Sequence, residues 1–375
     1  MMKFLIAISR SFVGILFIFS GLIKANDPLG LSYKMQEFFE VWKFHWLDNY
    51  TLAFSVIMII FEIVAGVAIL LGWKMKLFSW LLLLLIIFFT FLTGYAYLSG
   101  KVRECGCFGD CIPLTAGQSF TKDLILLALI IFLFIYKEKI VPVLPQAASI
   151  VVLLAVTVLS FSMQWFVLDH LPMIDCLPYK VGANILDKMQ SPPGSKPDSV
   201  VTTFLYNKNG KQIEIVNNNF PNDFDDSYKL ISRNDKIIRA GNNTPPIKDF
   251  SLTTLSGNDT TQDLLTRKGY SIFIFAKEMP DLNPSWNKEF NLIITFCKLK
   301  NIPVYMITSS ADQVVAFLEK NALQNTIGVL KCDATAIKTA ARANPTMYLI
   351  RNGVIINKWS YADFENAIIA FSEIH

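Results

Sequence analysis

Five long apolar runs within the first 170 residues constrain this chain more than any other feature. A helix needs about 20 mostly apolar residues to cross the hydrocarbon core of a bilayer, where every backbone polar group must be satisfied internally. Phe4–Ile23, Leu52–Gly72, Leu77–Leu98 and Ala147–Leu168 reach that length. Leu124–Tyr136 is shorter, and extending it back to Phe120 takes in Lys122 and Asp123, which the interface tolerates when the lysine snorkels. The first run is too long for a signal peptide, and Gly21-Leu22-Ile23-Lys24-Ala25 is a poor cleavage site, so it reads as a retained helix. The chain is 53% hydrophobic and 17% charged, where a soluble domain carries about 25% charge. The excess is confined to the membrane half; from about residue 180 the composition is that of a soluble protein.

Three cysteines fall within seven residues at Cys105-Gly106-Cys107-Phe108-Gly109-Asp110-Cys111, directly after the third run. Thiols at that density exchange disulfides or hold a soft metal. The other cysteines are Cys176, just beyond the last run, and Cys297 and Cys332, which read as small buried hydrophobes. With five spans, the cysteine loop and the polar half must share one face of the membrane, and Cys176 with them. Lys3, Arg10, Lys74, Lys76, Lys137 and Lys139 fall on one side; Lys24, Lys34, Lys43, Lys101, Arg103 and Lys122 fall on the other. The two counts are equal, but the first group occupies the shorter connections, which makes that side cytoplasmic. The cysteines and the polar half are then expected outside, where disulfides persist.

Glu62 lies mid-run in Ile59-Ile60-Phe61-Glu62-Ile63-Val64, and an ionisable group there should face the bundle interior or a cavity. The stretch Arg10–Lys24 followed by Pro28 resembles the first span of the DoxX superfamily, and Glu62 with Gly66–Gly72 resembles its second. Cys105-Gly106-Cys107-Phe108-Gly109 resembles the signature of the MauE branch, the methylamine-utilisation membrane proteins. The resemblance covers roughly residues 1–140. It implies a four-helix membrane bundle of the kind shared with quinone-linked disulfide-forming proteins, with thiol redox chemistry as its activity. The implied cofactor is a quinone held between helices, with Arg10, Lys24 and Glu62 the expected contacts. The fifth span and the large extra-membrane half depart from that pattern, so the chemistry carries over and the methylamine pathway does not.

In the polar half, Val200–Tyr206 and Gln212–Val216 around Asn207-Lys208-Asn209-Gly210 read as a hairpin. From Pro246 the pattern changes to alternating strand and helix. Phe250–Leu255, Thr260–Leu265, Tyr270–Phe275, Trp286–Lys300, Ile302–Thr308, Ala311–Asn321, Met347–Ile350 and Val354–Lys358 resemble the TlpA and peroxiredoxin branch of thioredoxin folds over Pro246–His375. Pro345 takes the place of the thioredoxin cis-proline, which makes Asn344, Pro345 and Thr346 the expected binding groove. The segment Ala276–Trp286 holds no Cys-x-x-Cys where such a fold places one at a helix N-terminus. The domain is therefore expected to present clients through its groove or to cap the membrane site.

The expected organisation is a DoxX/MauE-like transmembrane bundle over 1–140, a fifth transmembrane helix over 141–170, a β-rich module over 171–245 and an extracytoplasmic thioredoxin-like α/β domain over 246–375. The expected location is a bacterial inner membrane, with the polar half in the periplasm. Cys105, Cys107, Cys111 and Cys176 are the expected catalytic set, and their three possible pairings are not distinguished by sequence. An oxidised Cys-x-Cys closes a small strained ring, and strained disulfides are the more oxidising. Two other readings stand beside it. One is a scaffold with structural disulfides; the other is capture of Cu(I) or an Fe–S cluster by the thiolates. Only His45, His170 and His375 could add imidazole, none at ligand spacing from the motif. Membrane lipid and an extracytoplasmic protein client are the expected partners. Phosphate-binding loops, dinucleotide motifs, zincin motifs and basic nucleic-acid patches are absent from the sequence.

Overall fold

The computed structural model describes residues 1–100, 106, 108–196, 199–208, 210–216, 219–239, 241, 243–277 and 287–372. Cys105 and Cys107, the segment 278–286 and His375 lie outside the described residues.

Among the described residues, five helices are long and apolar enough to cross a membrane. They are α1 (Met2–Asn26), α3 (Thr51–Leu71), α4 (Met75–Ser99), α5 (Ala116–Ile135) and α6 (Gln146–Asp169), with a further helix, α2 (Pro28–Trp42), between the first two. The short fourth run is thus part of a 20-residue helix. Its start is set by a capping box, in which the Thr115 hydroxyl accepts from Gln118 N and the Gln118 side chain accepts from Thr115 N. α2 was not anticipated. Asp27 caps it by accepting from Gly30 N at 3.0 Å, and Pro28 occupies its first turn, where no intrahelical N–H is needed.

α1 and α3 pack backbone to backbone. A Cβ on Gly14 would lie 2.9 Å from the Gly66 carbonyl oxygen, and one on Gly66 would lie 2.8 Å from the Gly14 carbonyl oxygen. α4 packs chiefly on α5, and α6 lies against α3.

Beyond the membrane helices come a short helix α7 (Ile185–Lys188) and a three-stranded antiparallel sheet of β1 (Ser199–Lys208), β2 (Lys211–Val216) and β3 (Tyr228–Arg239), in the order β2-β1-β3. The remainder contains α8 (Thr261–Leu265), β4 (Tyr270–Ala276), α9 (Asn287–Leu299), β5 (Val304–Thr308), α10 (Ala311–Lys320), β6 (Ile327–Lys331), α11 (Ala334–Ala340), β7 (Thr346–Arg351), β8 (Val354–Ser360) and α12 (Phe364–Ser372). Its five strands form one mixed sheet, β6-β5-β4-β7-β8, parallel on the β4–β5–β6 side and antiparallel on the other.

β4 runs through the centre of that sheet, and its alternation supplies both faces. Ile272 and Ile274 join Phe290, Cys297, Val314, Phe364 and Phe371 in one core. Phe273 and Phe275 join Tyr179, Ile185, Phe250, Leu265 and Ile337 in the other. A strand covered on both sides has no use for polar residues, which is why its sequence reads as an unbroken apolar run. The strands β3 and β6 and the helices α11 and α12 were not foreseen.

Candidate functional site

A ligand-sized space lies inside the membrane bundle. It is a cavity of about 430 Å³ bounded by α1 to α5 and by Gly106, the residue between Cys105 and Cys107. Volumes of roughly 300–1,000 Å³ are usual for small-molecule sites. The wall is mostly aliphatic and aromatic, and α2 supplies much of it through Leu31, Met35, Phe38, Phe39 and Trp42. These positions fall at the 3- and 4-residue spacings of one helix face.

Two ion pairs, one fully buried and one with a partly exposed lysine, break this apolar lining. Lys24 Nζ donates to both carboxylate oxygens of Glu62, at 2.6 and 2.8 Å, and the Ser20 hydroxyl donates to Glu62 Oε2 at 3.3 Å. Lys24 also lies over the Phe89 ring, 5.2 Å from its centroid. On the other helix pair, Asp123 accepts from the Thr93 hydroxyl at 2.9 Å and from its neighbour Lys122. Glu62 and Asp123 are 1% and 0% exposed, a burial that only the paired cations make tolerable.

Sequence reasoning foresaw Lys24 and Glu62 but treated Lys122 and Asp123 as interfacial. It missed Thr93 entirely, because a threonine in an apolar run carries no signal until its partner is known. Arg10 is not brought to this site. It lies 14 residues before Lys24 on the same helix, about 21 Å away at 1.5 Å per residue, beside Gly72.

Gly106 of the cysteine loop lines the cavity. Gly106 and Gly109 both have positive φ, 66° and 55°, and the Gly109 N–H donates to the Gly106 carbonyl at 3.0 Å. That turn explains both glycines of the motif. Phe108 packs on Phe19 of α1, centroids 6.0 Å apart, and under the Lys122 ammonium at 5.5 Å. Cys111 is disulfide-bonded to Cys176, which selects one pairing and fixes the loop after α4 and the segment after α6 on one face. Cys105 and Cys107 lie outside the described residues. Cys297 and Cys332 are buried, and burial pushes their thiols up to about 12 and about 11. They are chemically quiet at neutral pH. Among the described residues, no group of three or more His, Cys, Asp or Glu is placed to hold a metal ion.

The α/β region contacts α2 and the cysteine loop. Arg342 Nε donates to both oxygens of Asp27, at 2.9 and 2.8 Å, and its Nη2 donates to Asp110 at 2.8 Å, one residue before Cys111. The guanidinium is deeply buried. Burial works against its charge, but the two carboxylates outweigh that and raise its pKa. Lys338 donates to Gln36 at 3.2 Å and Lys277 to the Tyr33 hydroxyl at 3.3 Å. A second line of contacts runs past the end of α6. Lys358 pairs with Asp175 at 2.6 Å, His170 with Asp363 at 2.9 Å, and the Tyr361 hydroxyl donates to Asp169 at 2.7 Å.

The predicted groove is inside this contact zone. The Asn344–Pro345 peptide is cis, Asn344 Oδ1 accepts from Lys277 N at 2.9 Å, and Pro345 and Thr346 are buried. Groove residues and cysteine loop are therefore brought together through Arg342, a connection no local motif announces.

With this geometry in view, the likenesses to other proteins fall into place. Residues 2–136, which span α1 to α5, match the family model of Methylamine utilisation protein MauE. Residues 200–240 match a domain of unknown function (DUF8463). A curated relative, Protein TlpB of Flavobacterium psychrophilum, is 29% identical over 133 residues, which is 35% of this chain and 36% of that protein. The chain thus spans about a third of the length of that relative. The five apolar helices and the MauE match make this a multi-pass membrane protein.

Proposed function

We propose that this protein is a membrane thiol–disulfide redox protein, in which Cys105 and Cys107 exchange a disulfide with an extracytoplasmic protein client and pass the electrons to a quinone in the cavity beneath. The observation that carries this reading is Gly106. The residue between the two cysteines forms part of the cavity wall, which ties the motif to the space proposed for the acceptor. The MauE match over the bundle and the likeness to TlpB favour the same class of chemistry.

The disulfide between Cys111 and Cys176 leaves Cys105 and Cys107 as the remaining membrane-proximal thiols. In the exchange, a client thiolate attacks one sulfur of a Cys105–Cys107 disulfide, and the second client thiol resolves the mixed disulfide. The client is oxidised, and the pair gains two electrons and two protons. When bound, a quinone supplies a two-electron, two-proton acceptor that returns the pair to the disulfide. The cavity fits such a group in size, in its aromatic walls and in offering cations at Lys24 and Lys122. Thr93 and Ser20 orient the two carboxylates, and the apolar walls exclude water.

The α/β region, read as thioredoxin-like from its sheet and the cis Pro345, acts in this proposal as a cap and not as a second thiol enzyme. Pro345 and Thr346 are buried, and Arg342, two residues before Asn344, donates to Asp110 of the cysteine loop. The extracytoplasmic face is then the periplasmic face of a bacterial inner membrane.

Differential alkylation with mass mapping, in membranes replete with or depleted of quinone, tests the proposal. Cys105 and Cys107 are expected to accumulate as thiols on depletion, while Cys111–Cys176 stays oxidised. Cys297 and Cys332 serve as blanks, because thiols with pKa values of about 12 and about 11 are almost wholly protonated at a labelling pH near 8. An oxidation state of Cys105 and Cys107 that ignores quinone would leave them structural and the proposal wrong.

A further inference from the structure

We infer that Arg342 and Lys358 are positioning residues for the Cys111–Cys176 disulfide, so that docking of the α/β region and oxidation of this pair stabilise each other. This goes beyond the reading above and depends on neither Cys105, Cys107 nor an acceptor in the cavity.

The first support is a repeated arrangement. An aspartate precedes each cysteine of the bond, Asp110 before Cys111 and Asp175 before Cys176. Each aspartate is held by a cation of the α/β region. Arg342 Nη2 donates to Asp110 at 2.8 Å, and Lys358 pairs with Asp175 at 2.6 Å. Both cationic side chains are almost wholly buried, 5% and 7% exposed. Arg342 follows α11 and Lys358 lies in β8, so two separate elements of the α/β region grip the two sides of the bond.

The second support comes from the end of α1. The Asn26 side chain donates to the Ile174 carbonyl at 2.8 Å and accepts from the Ile174 N–H at 2.9 Å. Its neighbour Asp27 accepts from Arg342. The segment carrying Cys176 and the cation holding the Cys111 loop are thus anchored on adjacent residues. The two cysteines are 65 positions apart in sequence, and their Cα atoms stand 4.7 Å from one another. None of these contacts involves sulfur, so they can keep the two thiols together after the bond is cut.

The sign follows from that. Holding two thiols side by side raises their effective concentration, which favours the disulfide and makes its reduction potential more negative. The rival effect is electrostatic, since a cation beside a thiol favours the thiolate and hence the reduced state. Here each cation faces a carboxylate, and positioning wins. The exchange is balanced by a dithiol reductant. It gives up two electrons and two protons and ends as a disulfide, while Cys111 and Cys176 become thiols.

The test uses the full-length protein carrying Cys105→Ser and Cys107→Ser, in detergent micelles with dithiothreitol redox buffers. The thiol fraction at Cys111 and Cys176 is read by alkylation and peptide mapping. Arg342→Met and Lys358→Met are each expected to make the potential less negative by about 30 mV, which is tenfold in the exchange equilibrium. Asp175→Asn, nearly unchanged in shape, is expected to shift it in the same direction and guards against misfolding of the cation variants. Lys208→Gln, whose partner Asp223 lies between β2 and β3, is expected to keep the wild-type potential.

Linkage makes the coupling reciprocal. Amide hydrogen exchange at Ala340–Thr346 and Asn357–Ser360 is expected to rise about tenfold when the pair is reduced, with β4 unchanged. Wild-type potentials in both cation variants would mean that these contacts have no hold on the disulfide and would overturn the inference. A shift to more negative values would show the cations acting on the thiolates, and would overturn it too. So would exchange at the two segments that ignores the redox state.

Discussion

Lys24 and Glu62 show how far a single residue can be read in isolation. A carboxylate in the middle of an apolar run is conspicuous, and its interior placement followed from cost alone. Its partner, 38 positions away, was visible only as a basic residue near a helix end. Their geometry now gives a quantitative expectation. Lys24→Met strands a buried carboxylate, and breaking one side of a buried pair costs about 3–5 kcal/mol. Lys24→Met/Glu62→Met removes both charges together and should recover most of that loss. Chemical unfolding in detergent, compared across the wild type, the single and the double variant, measures the difference. A double variant as unstable as the single one would mean that these side chains stabilise the bundle through packing and not through charge. The Lys122–Asp123 pair was legible as two charged residues but not as part of a site. Adjacent charges near the start of an apolar run look interfacial, and only Thr93 of the neighbouring helix shows that Asp123 points inward.

Among the elements, the membrane spans were legible and α2 was not, and the reason is length against pattern. Twenty apolar residues have one stable fate in lipid. The 15 residues of α2 mix Tyr, Lys, Gln and Glu with their apolar face, so the segment looks like a connection. Its apolar positions make sense only once the cavity they line is known. β6 and α11 escaped for a related reason, being 5 and 7 residues long with little periodicity to detect. The contact between α1 and α3 offers the sharper test at this scale. A Cβ on Gly66 would meet the Gly14 carbonyl at 2.8 Å and Ile18 N at 3.1 Å, backbone atoms that cannot rotate away. Gly66→Ala should therefore cost about 1–3 kcal/mol through overpacking, and more for Gly66→Val. Because Glu62 lies one turn earlier on α3, the same separation loosens its pair with Lys24. Gly117→Ala is the control, since its Cβ would meet only the edge of the Tyr97 ring at 3.2 Å. A Gly66→Ala variant as stable as Gly117→Ala in detergent unfolding would show that α1 and α3 accommodate the methyl group, and that the close approach sets no cost.

At the level of the whole molecule, one guanidinium joins three stretches that the sequence keeps far apart. Arg342 comes from the end of α11, Asp27 from the cap of α2 and Asp110 from the cysteine loop, across separations of 315 and 232 residues. No local pattern marks such a junction, because the periodicities that betray helices and strands extend over a few turns only. The expectation of a groove at Asn344, Pro345 and Thr346 rested on Pro345 alone; the bond from Arg342, two residues earlier, to Asp110 of the cysteine loop was not foreseen. Arg342→Met removes the junction while the disulfide between Cys111 and Cys176 still tethers the loop to the segment after α6. Asp27, 14% exposed, and Asp110, 35% exposed, can then rehydrate. The expected result is local loosening and not unfolding. Amide hydrogen exchange should rise about tenfold or more at Phe108–Cys111 and Ala340–Thr346, while β4 and the interiors of α1 and α3 keep wild-type protection. Arg342→Lys should rescue little, because an ammonium lacks the planar fork that reaches both carboxylates. Unchanged exchange in Arg342→Met would show that the remaining contacts, Lys358–Asp175 and His170–Asp363 among them, hold the cap in place without this junction.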